Sequence, residues 1–389
     1  MKLTIYNSKY LIGFLLLLAI SVSGQKNKAP IMGWSSWNNF HVNINEDVIR
    51  GQADAMISSG LYKAGYRFVN IDDGYFGGRD KNGKLYCDSI KFPSGMKVLA
   101  DYIHSKKLKA GIYTDAGKNT CGSIYDNDKN GVGVGIYGHV EQDCQLFFNE
   151  WGYDFLKVDW CGGKRQKLDE KTEYLKIIEA VKTINPDIVF NVCRWEFPGE
   201  WAIKKADSWR ISGDIREKFS SILHIIDLNA DLYKYASAGH YNDMDMLQVG
   251  RGMTYDEDKT HFSMWCMMNS PLLAGNDLRD MSKQTIEILT NNEVIALNQD
   301  KGFKQATRIY SENNVEIWLK PLGKSGKSKA IAIMNRGEKS TDFRLTPQLI
   351  NVSKNCRMRD LWQHTDLGKI GTEKVFTIPT HGIIVLKLK

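Results

Sequence analysis

Lys157 and Asp159 stand two residues apart in the run Phe155-Leu156-Lys157-Val158-Asp159-Trp160-Cys161. A short apolar run of this kind has the character of a buried strand. Side chains at i and i+2 of a strand share a face, so an ammonium and a carboxylate point the same way. Removing both charges from water costs free energy unless they are paired or used. A structural ion pair on the strand would satisfy that condition. So would a carboxylate kept ionised for nucleophilic or base chemistry.

Other apolar runs end in the same manner. Asp72 and Asp73 follow Ile71, and Asp115 ends Gly111-Ile112-Tyr113-Thr114. Asp214 lies four residues after Arg210, Asp243 and Asp245 lie in Tyr241–Leu247, and Asp277 follows Leu272–Asn276. Any one terminal Asp can cap the turn or helix behind it, and that reading stays open for Asp115 and Asp277. Gathered in one mouth, such acids repel unless cations, metal or sugar hydroxyls meet them. Trp34, Trp37, Trp160, Trp195 and Trp209 lie near the same ends. Sugars are held between aromatic faces and charged groups, although core packing explains any single indole as well.

These residue types suit glycoside hydrolysis, in which one carboxylate acts as nucleophile or base and another as acid. Asp159 and Asp214 come from different strands and can face each other across a mouth. On this reading Lys157 lowers the pKa of Asp159, whereas Asp214 needs a raised pKa to donate a proton. A metal-dependent hydrolase would show His ligands at strand ends, and only His240 of the eight His lies close to one. No cofactor and no metal are expected.

The elements that must position these groups follow a repeating plan from about residue 29: apolar run, polar turn, amphipathic helix. Candidate strands are 32–37, 66–71, 108–113, 155–161, 188–192, 208–214, 241–247 and 272–275. Candidate helices are 45–56, 98–107, 140–151, 170–184, 219–236, 256–268 and 283–297. Eight strand–helix units over about 270 residues fit an α/β chain folded as a closed (β/α)8 barrel of the TIM type. No Gly-rich phosphate turn follows the first strand, as an open doubly wound sheet would usually show. From about residue 303 only strand-like runs remain, among them 315–319, 330–334, 374–378 and 382–386, so a small antiparallel β domain is expected. The expected boundaries are 25–302 for the barrel and 303–389 for a C-terminal β-sandwich domain.

Residues 1–24 have the form of a secretory signal. Lys2 and Lys9 precede the apolar run Tyr10–Ile20, and small residues lead to Gly24. Export to the periplasm or the extracellular space is expected, with no membrane span in the mature chain. The formal net charge of +7 is scattered, and no basic and aromatic block suggests nucleic acid. Seven cysteines leave at least one unpaired.

Taken together, Met32-Gly33-Trp34 through Trp37, Asn70–Gly74, Gly111–Asp115, Lys157–Cys161, Arg210 with Asp214, and Asn242–Leu247 resemble the family 27 glycoside hydrolases of the α-galactosidase (melibiase) type. The resemblance covers about residues 29 to 300 and, more loosely, the C-terminal segment. It implies that Asp159 is the nucleophile, Asp214 the acid/base, and that the reaction retains anomeric configuration. It further implies that Asp72 and Asp73 hold the O4 and O6 hydroxyls of galactose, Lys157 the O3/O4 side and Arg210 the region near O2. Trp37, Tyr113 and Asp245 match pocket walls, and Cys121 and Cys161 match a disulfide. The implied substrate is a small molecule or glycan bearing a terminal α-galactosyl group. One departure stands out: Arg194 occupies a place near the sugar's 2-substituent where Glu is common in the family. Within the family, β-L-arabinopyranosides and α-N-acetylgalactosaminides are the alternative substrates. Outside enzymes, the alternative is a sugar-binding protein that kept the fold.

Overall fold

The structure, a computed structural model, describes residues 29–389. The expected signal at 1–24 lies outside the described residues. Eight parallel strands form one sheet: β1 Met32–Ser35, β2 Phe68–Asn70, β3 Lys109–Asp115, β4 Phe155–Asp159, β5 Val189–Cys193, β6 Ser208–Arg210, β7 Tyr241–Asp243 and β8 Leu272–Ala274. Their order is β8-β1-β2-β3-β4-β5-β6-β7. The ring closes where Leu247, just beyond β7, bridges Ala274 of β8. There the Leu247 N–H donates to Leu273 at 2.7 Å and the Gly275 N–H to Leu247 at 3.0 Å. The expected barrel is therefore present, and all the named carboxylates follow the C-terminal ends of their strands.

Local chemistry explains the helix starts. Asn45 caps Glu46–Ser58 by accepting from Val48, and Asp169 caps Glu170–Ile184 by accepting from Thr172. Thr254 and Glu257 form a reciprocal capping box on Tyr255–Met267. Other expected helices are divided. The run 283–297 is two helices, Lys283–Leu289 and Asn292–Asn298, because Asn291 accepts from Glu293 and Val294 and so starts the second. The long helix 219–236 stops at Asn229, and 140–151 starts as an α-helix over Val140–Cys144 and widens into a π-helix over Gln145–Glu150. A hairpin over Phe76–Arg79 and Leu85–Cys87, which the periodicity does not suggest, follows β2.

The C-terminal segment contains β9 Thr307–Glu312, β10 Val315–Leu322, β11 Ser328–Asn335, β12 Thr341–Leu345, β13 Arg357–Asp360, β14 Thr365–Lys369, β15 Lys374–Ile378 and β16 Ile383–Leu388. All pair antiparallel, in a six-stranded sheet of order β9-β10-β11-β16-β13-β14 and a separate β12–β15 pair. Strand alternation assigns the two faces. Ile317, Ile333 and Leu386 share a core with Phe343, Leu345 and Ile378 of the β12–β15 pair. Trp318, Ala332 and Val385 face the other way and join the barrel's core. Among the described residues no helix is long and apolar enough to cross a membrane.

The Cys121–Cys161 bond implied by the resemblance is present and joins the segments after β3 and β4. The same two segments meet backbone to backbone. A Cβ on Gly117 would lie 2.1 Å from the Gly162 carbonyl carbon, so neither loop can retreat to admit a side chain. Loop-closure entropy for a separation of 40 residues puts the disulfide's contribution at about 4 kcal/mol. A Cys121→Ser/Cys161→Ser double variant should therefore unfold at clearly lower denaturant concentration. An unchanged midpoint in urea titration would contradict that expectation.

Candidate active site

Strand alternation turns Lys157 and Asp159 of β4 toward the barrel axis. The Lys157 ammonium donates to Asp72 Oδ2 at 2.8 Å and lies 5.4 Å from the centre of the Tyr113 ring. Asp72 is 2% exposed, donates its own N–H to the Ser36 hydroxyl oxygen at 2.9 Å, and accepts from the Ser35 hydroxyl at 3.4 Å. Asp73 is fully buried and accepts N–H bonds from Gly74 at 2.8 Å and Gly122 at 2.7 Å. Burial pushes its carboxyl up to about 7 despite those donors.

On the other side of the mouth, Arg210 of β6 forms an ion pair with Asp245 Oδ2 at 2.9 Å and donates to Asp214 Oδ1 at 3.0 Å. Asp245 carries a backbone φ of 75°, a strained conformation for a non-Gly residue. Surrounding bonds over-determine it. Its carboxylate accepts from Ile215 at 2.9 Å and Met246 at 2.7 Å, its N–H donates to Asp243, and its carbonyl accepts the Trp265 indole. Asp214 itself is on the solvent-facing loop after β6, with its side chain 66% exposed.

Electrostatics order the two principal carboxyls in a way that overturns the expected pKa pattern. Burial pushes Asp159 up to about 7; Lys157 pulls against this and the Asp214 charge adds to it. Lys157 has its hydrogen bond committed to Asp72, so its pull does not hold Asp159 low. The surrounding walls of the mouth strip some water from Asp214 and push it up although its side chain faces solvent, but Arg210 and Lys157 outweigh that and hold the carboxyl below its ordinary value. In the unliganded protein Asp159 therefore keeps a proton more readily than Asp214.

The remaining candidates divide. Tyr113 is buried under the disulfide, its hydroxyl accepting the Cys121 N–H at 3.3 Å. Trp37 opens the short helix Trp37–Phe40 at the mouth and is half-buried. Arg194 pairs with Glu170 and Glu196. Asp115 is a turn organiser: it accepts from Gly117, Gly162 and Gly163, and burial followed by Asp159 pushes it up to about 8. Asp277 is an N-cap bonded to Arg279 and Gln52, which hold it near 2. Trp34 and Trp209 are fully buried core residues, and Trp160 stacks on Tyr174, so packing rather than sugar contact accounts for those three. His240 precedes β7, at the end of the barrel opposite the mouth.

Asn191 belongs to the set without standing among the sequence candidates. It is the β5 partner of Lys157 and donates to Asp243 at 2.7 Å and Ser208 at 2.8 Å. Its signal is the same as that of Lys157, a polar residue inside an apolar strand. Ser35 and Ser36 carry no such signal.

The comparisons with known proteins agree with this architecture. The family described as alpha galactosidase A matches residues 29–300, and the one described as alpha galactosidase C-terminal beta sandwich domain matches 312–388. Alpha-galactosidase A of Cellvibrio japonicus is 41% identical over 401 residues, covering 96% of each chain. Alpha-galactosidase 2 of Arabidopsis thaliana is 43% identical, covering 87% of this chain and 83% of its own. The crystal structure of alpha-galactosidase I from Mortierella vinacea superposes with a TM-score of 0.86 at 32% identity, covering 93% of this chain and 97% of that one. With these matches spanning both the barrel and the β domain, the chain belongs to the family 27 glycoside hydrolases of the α-galactosidase type.

Proposed function

We propose that this protein is a retaining, exo-acting glycosidase that releases terminal α-linked D-galactose from oligosaccharides or glycoconjugates. The observation that carries the reading is the pairing of Asp159, buried at the floor of the mouth, with Asp214 on its rim, each within the other's electrostatic reach. Asp159 attacks the anomeric carbon, forming a covalent glycosyl-enzyme as the aglycone bond breaks. Asp214 gives its proton to the departing oxygen, then takes one from water as that water attacks the intermediate. The two carboxyls interact electrostatically, and in the unliganded site Asp159 takes up a proton more readily than Asp214. A sugar hydroxyl that accepts from Arg210 weakens the hold on Asp214, so the proton can pass there while Asp159 ionises. Lys157, Asp72 and Asp73 bind the O3, O4 and O6 side of galactose, and Trp37, Tyr113 and Asp245 wall the pocket. Arg194 stands near the 2-position, held by Glu170 and Glu196. The Cys121–Cys161 bond fits export to an oxidising compartment.

A panel of aryl α-galactoside, α-N-acetylgalactosaminide and β-L-arabinopyranoside tests the substrate class. The α-galactoside should give the highest kcat/KM, and preference for either of the others would reassign the specificity. Asp159→Ala should lower turnover by about 10^4-fold or more, and retention of more than a few per cent would remove the nucleophile role. Asp214→Asn should spare the glycosylation step for a dinitrophenyl leaving group but not for a poor one. The same variant removes a negative neighbour that raises Asp159. Asp159 then ionises at lower pH, so the acidic limb of kcat/KM on the dinitrophenyl substrate should move to lower pH. Movement toward higher pH would contradict the coupling.

A further inference from the structure

We infer that Arg251 is a positioning residue that fixes the direction of the Asp214 loop; the inference rests on the proposed acid/base role of Asp214. Arg251 lies beyond β7 and contacts no group assigned to the reaction. Its guanidinium nevertheless joins three other loops of the mouth. One amino nitrogen donates to Asn39 Oδ1 at 2.7 Å and to the Gly275 carbonyl at 3.2 Å. The other donates to the Asn38 carbonyl at 2.7 Å and to Glu217 Oε1 at 2.6 Å. Asn38 and Asn39 sit in the short helix that begins with Trp37, Gly275 follows β8, and Glu217 is three residues beyond Asp214.

The loop between β6 and the helix Phe219–Asn229 needs such a tether. Its inner side is pinned where Ile215 donates to Asp245. Arg210 adds bonds to the Ser212 carbonyl and to Asp214 itself, each at 3.0 Å, so the inner half of the loop is tied toward β6 and β7. The outer half, beyond Ile215, is bonded within itself from Arg216 to Ser221, and Glu217 on Arg251 ties that half to the other loops of the mouth and sets its direction relative to Trp37. Lysine would not reproduce the contact, because its donors diverge from one nitrogen, whereas the two amino nitrogens of the planar guanidinium hold four acceptors on three segments in a fixed fork. Arg251 is 14% exposed and Glu217 42%, so the ion pair adds little to global stability. Its effect falls on geometry, where a displacement of about 1 Å can cost on the order of a hundredfold in rate.

The test compares two leaving groups on the intact enzyme. Arg251→Met should lower kcat/KM on methyl α-D-galactopyranoside by about tenfold or more, and on the 2,4-dinitrophenyl galactoside by less than about threefold. The alkaline limb of the pH profile should shift with the loss. Glu217→Ala, which leaves the other Arg251 bonds in place, should show the same split, and the double variant should be no worse than Arg251→Met alone. Equal losses on both substrates, additive losses, or wild-type rates in both single variants would overturn the inference. If Arg251→Met does not fold, Glu217→Ala carries the test. Failure of the underlying reading is seen separately, as Asp214→Asn losing both substrates equally.

Discussion

Asp72, Asp159, Asp243 and Asp245 can be buried in one barrel mouth because the half-buried Lys157 and the buried Arg210 lie among them. Each cation bonds one buried carboxylate at under 3 Å, and its charge reaches the next. Removing either would leave buried anions uncompensated, and the site would answer by taking up protons rather than by holding its charge. Backbone N–H groups do the rest. Asp73, Asp115 and Asp245 each accept from two or more of them, so the turns after β2, β3 and β7 are shaped around the acids they carry. The acids organise the loops as much as the loops present the acids.

Much of this arrangement can be read from the chain. The barrel shows itself because each strand is a short apolar run followed by a turn and a helical period, and Lys157 and Asp159 break that pattern on one face. What remains hidden depends on partners far away in sequence. Lys157 meets Asp72 across 85 residues, and that bond, together with burial, leaves Asp159 near 7 rather than low. Arg210 stands only four residues before Asp214, but the distant Lys157 also helps to hold that carboxyl down, and the spacing does not show it. Helix breaks at Asn291 and Asn229 are decided by capping and docking that a periodicity average smooths over. The same smoothing hides the hairpin after β2, whose glycines leave no alternation to detect.

The C-terminal domain contributes at a distance. Its six-stranded sheet turns Trp318 and Val385 into the barrel's core and Lys320 toward the end of Tyr255–Met267. The Lys320 ammonium donates to the Met267 carbonyl at 3.0 Å and the Lys304 carbonyl at 2.7 Å, and shares the closing of that helix end with the Ala306 N–H, which donates to Met267 at 3.0 Å. That helix in turn supplies Trp265, which donates to the strained Asp245 backbone. The β domain therefore buttresses the floor of the pocket through one helix, without touching it.

The contact between Gly117 and Gly162 bears on how such an enzyme can change its tastes. Around β3 and β4 the rim is backbone on backbone, stitched by a disulfide and by Asp115, and no larger residue fits where the glycines meet. Selection, natural or in the laboratory, has little raw material on that side. Diversification must draw on the next loops round the barrel, after β5 and β6, where Arg194–Phe197 and Gly213–Lys218 include exposed side chains. A mutant library confined to those two loops would sample most of the variation the pocket can tolerate.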